Sequence, residues 1–316
     1  MINEMESIDI FIPSYKRANN LKTAKYYMNL NWEHQKIHIL VDDETPDINE
    51  YRKFAEKNKL QLHVFDINEA RRRYDFVHRP GLSVRAAGMA RNMIYDIAKS
   101  NGIEFYMVQD DDTNSYEIKK YGRYQRKAVE NEVKSVFCAI EEFMKCNRIG
   151  VFGVSQSGDY IGGNTKKLYA QKVMNTTFYL TGFVIRGERG VQDDDTSLFC
   201  GVMNRGLFTG QLHDGLTLHQ SKSATQKGGL TELYNELKLL NKALVVPIQY
   251  PSAVVAERQV KNGNRLHHKI ISKYLYPRII KDCNGINNIA WDAYPEDIPF
   301  TNEAIIKRNY YGTTRN

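Results

Sequence analysis

The chain has 316 residues, 42% of them hydrophobic and 26% charged, a balance that excludes a disordered polyelectrolyte and fits an ordinary globular protein. That length suits one large domain, or one domain with a substantial appendage, and is enough to bury a sizeable core. A net charge of +7 favours polyanionic partners such as nucleic acid, anionic polysaccharide or a lipid surface, without choosing among them. No apolar run approaches the roughly 20 residues of a membrane helix, so no membrane span is expected. The stretch from Met1 to Glu6 has neither a basic region nor an apolar signal core, and the expected location is the cytoplasm. Cys138, Cys146, Cys200 and Cys283 are widely spread with no CxxC pair, which argues against a zinc site or disulfide framework.

The first expected strand runs from Ser7 to Ile12 and stops at Pro13, whose nitrogen cannot donate to a ladder. Asn19-Asn20 then introduces a helix bearing Leu21, Ala24, Tyr27 and Met28. A second strand, Ile37 to Val41, ends at Asp42-Asp43-Glu44; a helix over 46–58 and a strand from Leu60 to Phe65 follow. Residues 66–80 are polar and basic and read as an excursion over the surface. A helix from Val84 to Ser100, ended by Gly102, leads to the strand Glu104 to Gln109, which runs straight into Asp110-Asp111-Asp112. This alternation predicts a largely parallel sheet covered on both faces. Beyond it, the pattern predicts a helix over 126–146 and a strand from Ile149 to Val154. Further strands are expected around 176–186 and 207–219, a helix over 230–241, and glycine-rich loops at 157–163 and 226–229.

Ligands of open parallel sheets bind at the carboxyl ends of the strands. Three strands here end in distinctive polar groups, Pro13-Ser14-Tyr15, Asp42-Asp43 and Asp110-Asp111-Asp112. Side chains i and i+2 of an extended segment project to one side, so Asp110 and Asp112 can share a hard cation, Mg2+ or Mn2+. Such an ion neutralises charge on a departing diphosphate, which suits glycosyl, phosphoryl or nucleotidyl transfer alike.

The segments "IDIFIPSYKRANNL", "HILVDDETPD" and "GLSVRAAGMARNMIYDIAKSNGIEFYMVQDDDT" resemble the nucleotide-binding half of family 2-like glycosyltransferases of the GT-A fold, over about residues 8–115. The resemblance implies an α/β fold with a Rossmann-like, mostly parallel sheet, helices on both faces, and a helical or irregular C-terminal extension. It divides the chain into a GT-A domain over 1–250, with a donor half (1–115) and an acceptor half (116–250), and a basic extension over 251–316. By this similarity Pro13, Tyr15 and Arg17 border the nucleotide, and Asp42 or Asp43 contacts its base or ribose. Arg85 and Arg91 face the nucleotide-sugar, while Asp110 and Asp112 hold the metal. Asp111 points away from the metal and counts with the nucleotide-binding set; for Arg91 an ion pair with the Asp42 turn competes.

A second acidic run, Asp193-Asp194-Asp195, resembles the later motif in which such enzymes carry their catalytic base. Asp194 is favoured, with Asp193 the close competitor, and the plain alternative is a cap for a helix starting near Thr196. The resemblance also implies His219 as a third metal ligand, with His213 as alternative, and Lys222 on the diphosphate.

The excursion bearing Arg71, Arg72, Arg73 and Arg79 mixes basic and aromatic groups, the combination used for phosphate contact and base stacking. The layout from "RPGLSVRAAGMARN" to "QDDD" and the later "QDDDTSLF" also resembles glycosyltransferases with which phages decorate hydroxylated or hydroxymethylated DNA bases. The expectation is a metal-dependent, inverting transfer from a UDP-sugar to such a base in double-stranded DNA, in the host cytoplasm if the chain is phage-encoded. Transfer to surface polysaccharide or protein is the alternative. A nucleotidyltransferase or nucleic-acid-binding protein using the same acidic site is the reading from another class.

Overall fold

The computed structural model describes residues 7–73, 87–120, 123–147, 149–156, 176–182, 193–204, 207–220, 243–259 and 265–275. Its centre is a nine-stranded sheet in the order β3-β2-β1-β4-β8-β7-β9-β5-β6. The first-half strands are β1 (Asp9–Pro13), β2 (Ile37–Asp42), β3 (Gln61–Phe65) and β4 (Phe105–Gln109), and they pair in parallel. The second half comprises β5 (Thr113–Lys120), β6 (Arg123–Lys127), β7 (Ile149–Gln156), β8 (Thr176–Leu180) and β9 (Phe208–Gln220). Only β5 and β8 run against the rest, so the sheet is mostly parallel.

Every residue of β2 and of β4 is buried, as continuous apolar runs covered on both faces must be. The covering helices of the first half are α1 (Lys22–Asn29), α2 (Ile48–Asn58), α3 (Ile67–Arg73) and α4 (Ala87–Ser100). Those of the second half include α5 (Glu130–Cys146) and α6 (Asp194–Asn204). Trp32 shows how the layers lock. Its indole N–H donates to Ile8 O at 3.0 Å, and its ring meets Tyr27 of α1 and Phe137 of α5 edge-on. Gly102, at φ +69°, ends α4 in the left-handed region while Ile103 N reaches back to Ala98 O at 2.9 Å. The chain steps from β1 through β2 to β3 on one side of the sheet, then returns to place β4 on the other side of β1. The crevice between β1 and β4 is therefore the switch point where such sheets bind ligands.

Four expectations change. The excursion begins as helix α3, because Asp66 Oδ1 accepts the amides of Asn68 and Glu69 and satisfies donors that a helix start leaves open. The helix expected from 126 begins at Glu130, since Arg123–Lys127 is the exposed edge strand of a hairpin with β5. The helix expected near Thr196 starts at Asp194. The described part of the C-terminal extension carries the short 3-10 helix Ser272–Tyr274 and also strands. It forms the antiparallel hairpin of β10 (Val254–Gln259) and β11 (Arg265–Ile270). This hairpin joins α6 through Phe199, Cys200 and Met203, packed with Val246, Ala253, Val254 and Leu275, so the boundary expected at 250 runs through a shared apolar cluster. Residues 157–163, 226–229 and 230–241 lie outside the described residues. Among the described residues, no helix is long and apolar enough to cross a membrane.

At the opposite end of the first strands, Asp9, His38 and His63 form a chain. His38 Nε2 lies 2.8 Å from Asp9 Oδ1, and His38 Nδ1 lies 2.9 Å from His63 Nε2. Burial, and then the neighbouring His38, push His63 down to about 4. Its pKa when folded is thus below that of the unfolded chain, so its contribution is complete above about pH 6.5 and is lost as pH falls towards 4. Urea unfolding from pH 7 to 4 is expected to show a falling midpoint that His63→Gln flattens. An unchanged slope in the variant would refute this.

Candidate active site

The ends of β1 and β4 are fastened together by one carboxylate. Asp111 is buried, and it accepts from Ser14 Oγ and from Arg17 Nη1, each at 2.5 Å. Tyr51 OH lies 2.7 Å from Ser14 Oγ and accepts the Arg17 amide at 3.0 Å, which closes the loop after Pro13 onto α2. Burial pushes the Asp111 carboxyl up, and Arg17 and Ser14 pull it back. Pro13 ends β1, and Lys16, at φ +54°, turns the loop with its ammonium 5.1 Å from the Tyr15 ring. Arg17, expected at the nucleotide, therefore spends one guanidinium nitrogen on the acidic run.

The backbone of that run is held by α1. Thr23 N donates to Asp111 O at 3.2 Å, Thr23 Oγ1 donates to Asp110 O, and Thr113 N donates to Thr23 Oγ1 at 2.9 Å. Beneath it, Tyr27 OH donates to Gln109 Oε1 (2.6 Å) and Gln109 Nε2 donates to Thr113 Oγ1 (2.7 Å). These buried groups satisfy one another, so the acids sit on a rigid floor. Asp112 is buried too, and its carboxyl is pushed up to about 7 by burial and by the like charges of Asp110 and Asp111, with Arg17 only partly offsetting them.

Arg91, on α4, joins the two acidic runs. Its Nη2 donates to Asp110 Oδ1 at 2.9 Å, and its Nη1 donates to Asp194 Oδ2 at the start of α6. Asp110 and Asp194 are thus brought to one guanidinium from positions 84 residues apart in sequence. Burial raises the Asp194 carboxyl, Arg91 lowers it, and Asp195 and Asp110 raise it again. Asp193 adopts φ +56°, accepts the Ser197 amide on its carbonyl at 2.9 Å, and lies with Oδ2 3.0 Å from His268 Nδ1 of β11. Asp195 Oδ1 accepts the Thr196 amide at 2.8 Å.

The other expected residues are more scattered. Asp42 is buried and accepts the Glu44 amide at 3.1 Å. Asp43 Oδ1 accepts the Ile67 amide at 3.0 Å, tying the end of β2 to the start of α3. Arg91 is drawn to Asp110 and Asp194. His219 is exposed on β9, with Nδ1 3.0 Å from Glu117 Oε1 of β5. Among the described residues, no three His, Cys, Asp or Glu side chains converge as a metal cage, so His219 is not gathered to the Asp110–Asp112 pair. His213 offers its carbonyl to Ser155 Oγ at 3.0 Å. On α3, Arg71 Nη1 donates to Asn68 Oδ1 at 2.9 Å, Arg72 is exposed, and Arg73 lies 3.2 Å from Asp96. Arg79, Arg85 and Lys222 lie outside the described residues.

The residues not singled out from sequence are Thr23, Ser14 as a carboxylate donor, and His268 as partner of Asp193. Thr23 and Ser14 sit just after strand or cap signals, but nothing local marks their distant partners. His268 read only as part of a basic tail.

Asp110 and Asp112 offer carboxylate oxygens, the ligand type that suits Mg2+ or Mn2+, with no third His, Cys, Asp or Glu converging on them among the described residues. Asp112 is raised by burial and then by the like charges of Asp110 and Asp111, which a bound cation would relieve. Removing Arg91 leaves Asp110 and Asp194 facing each other without their shared cation. Arg91→Met is expected to cost about 3 kcal/mol of unfolding free energy in urea, as breaking a buried pair does. Arg91→Lys should recover little, because one ammonium lacks the planar fork that spans both acids. A loss under about 0.5 kcal/mol, the scale of an ordinary surface change, would show the bridge to be incidental.

A family model described as TET-associated glycosyltransferase matches residues 8–229. Among curated proteins, none matches the sequence. The solved structures it resembles include glucosyl-3-phosphoglycerate synthase from Mycobacterium tuberculosis in complex with Mn2+, UDP and phosphoglyceric acid. That likeness has 11% identity and a TM-score of 0.45 over 84% of this chain and 87% of that one. A mannosyltransferase from Pyrobaculum calidifontis, in complex with GDP-Man and Mn2+, has 11% identity and a TM-score of 0.45 over 79% and 64%.

Proposed function

The chain belongs to the TET-associated glycosyltransferase family, and from that premise we propose that it moves a sugar from a UDP-sugar to a hydroxyl on a modified DNA base. The observation that carries the site assignment is the Arg91 bridge, which sets the donor-side Asp110 beside the acceptor-side Asp194. In this reading the loop from Pro13 to Arg17 and the Asp42-Asp43 turn border the nucleotide, with Arg85, Asp111 and Lys222 completing its surroundings. Asp110 and Asp112 hold Mn2+ or Mg2+, which when bound offsets charge on the leaving diphosphate. His219 joins them only if its contact with Glu117 is given up.

Asp194 removes the acceptor proton as the new bond forms at the anomeric carbon and the bond to the diphosphate breaks, which inverts that carbon. Burial holds its carboxyl above the ordinary range, which brings its basicity closer to that needed near neutral pH. The acceptor assignment is supported by the family description, with its association with TET, and by the resemblance to phage enzymes carried by the segment leading to Asp110. Arg71, Arg72, Arg73 and Arg79 would meet the phosphate backbone, and the net charge of +7 suits such a partner. A base buried in a duplex must leave the stack for its hydroxyl to reach the donor.

Asp110→Asn and Asp112→Asn are expected to lower Mn2+-dependent donor turnover by at least about a hundredfold, the scale of losing electrostatic stabilisation of the leaving group. Mass spectrometry of nucleosides from hydroxymethylated DNA, after incubation with a panel of nucleotide sugars, should show one hexose or pentose added. Turnover that survives both substitutions would refute the metal assignment. Transfer to polysaccharide or protein but never to DNA would refute the acceptor.

A further inference from the structure

The family-matched segment ends at residue 229, yet the second acidic run has a partner beyond it. The β10–β11 hairpin pairs Ala256 with His268 and is anchored on α6 by the Phe199–Cys200–Met203 cluster. That docking buries the His268 side chain to 9% exposure against Asp193, itself 6% exposed, with Nδ1 3.0 Å from Oδ2. On the other edge of the ring, Nε2 lies 3.4 Å from Thr196 Oγ1. Nδ1 and Oδ2 approach within ion-pair distance without the alignment of a hydrogen bond, so the imidazole meets the carboxylate as a buried polar contact.

Asp193 has a backbone reason to need this hold. A non-glycine residue at φ +56° sits in the left-handed region, at a cost of roughly 1 kcal/mol, and stays there only when its surroundings overdetermine it. Its carbonyl starts α6 by accepting from Ser197, and its neighbour Asp194 is the residue on Arg91. We propose that His268 is a positioning residue for glycosyl transfer: by holding Asp193 in its left-handed turn, it aims Asp194 at the acceptor beside Asp110. A turn that relaxed would carry Asp194 off line, and displacements of about 1 Å in such groups cost up to about a hundredfold in rate. The role in catalysis rests on the proposed transfer at this site; the hold on the turn does not.

Two substitutions separate the polar edge of the imidazole from its ring. His268→Phe keeps a ring without a donor, and His268→Gln keeps an amide donor without the ring. Glu257→Gln, which loses only an exposed pair with Lys269 on the same hairpin, serves as control. UDP-glucose, UDP-galactose, UDP-N-acetylglucosamine and GDP-mannose are offered in turn with Mn2+, and kcat and KM for the donor turned over are measured beside UDP affinity by calorimetry. His268→Phe should lower kcat about tenfold or more with UDP affinity within about twofold, while His268→Gln stays within about threefold of wild type. Equal rates in both variants, the reverse order, or a loss that follows UDP affinity overturns the assignment. Amide exchange at Ser197 reads the turn without reference to activity. It should quicken in His268→Phe and stay slow in Glu257→Gln, and unchanged exchange overturns the hold on the turn. A wild type that turns over no donor while Ser197 exchange still responds leaves the positioning intact and removes the transfer reading.

Discussion

Five carboxylates, Asp110 to Asp112 with Asp193 and Asp194, crowd the carboxyl edge of this sheet, and their mutual repulsion is the constraint that the surrounding structure answers. Taking one carboxylate out of water costs several kcal/mol unless a cation or donors compensate. Arg17 meets Asp111, Arg91 meets Asp110 and Asp194 together, and His268 meets Asp193. Each compensating group comes from a different element: the loop after β1, helix α4 and strand β11. The acids therefore recruit the fold around themselves, and the placement of three distant segments follows from where the charge must be met. Asp112 is raised to about 7 by burial and then by its like-charged neighbours.

Beneath that charged layer lies a neutral one. Thr23, Tyr27, Gln109, Thr113 and Tyr116 exchange hydrogen bonds between α1, β4 and β5. Burial raises the phenols of Tyr27 and Tyr116, so both remain protonated donors. A floor of this kind adds no charge to an already crowded site, and it holds the backbone through carbonyls and amides rather than through the acids. The side chains of the run are left to the cations above.

Strands β1, β2 and β4 were legible because they are largely apolar runs with sharp stops at Pro13, Asp42 and Asp110, signals that act within a few residues. The acidic runs were legible for the same reason. What was hidden is partnership at a distance. Arg91 was expected at the nucleotide-sugar, with the Asp42 turn as competitor, and the structure sets it between Asp110 and Asp194; no local pattern marks those two acids as its partners. Helix α3 was hidden because its basic residues masked an Asp66 cap. The β5–β6 hairpin was hidden because Arg123–Lys127 is an exposed edge, with no apolar alternation to reveal a strand. The C-terminal hairpin is a similar case, with His267 and His268 read as charge when one of them is packing against an acid.

Three of the contacts that assemble the site join residues 94, 103 and 75 positions apart. None can form early, because long loops must close before such contacts reward the chain. During synthesis Arg17 and Asp111 are available first, Arg91 waits for Asp194, and Asp193 waits until β11 has emerged. A ribosome-bound chain that already displays the whole family segment thus still carries its second acidic run without its histidine. The second acidic run is completed by β11, the last strand among the described residues.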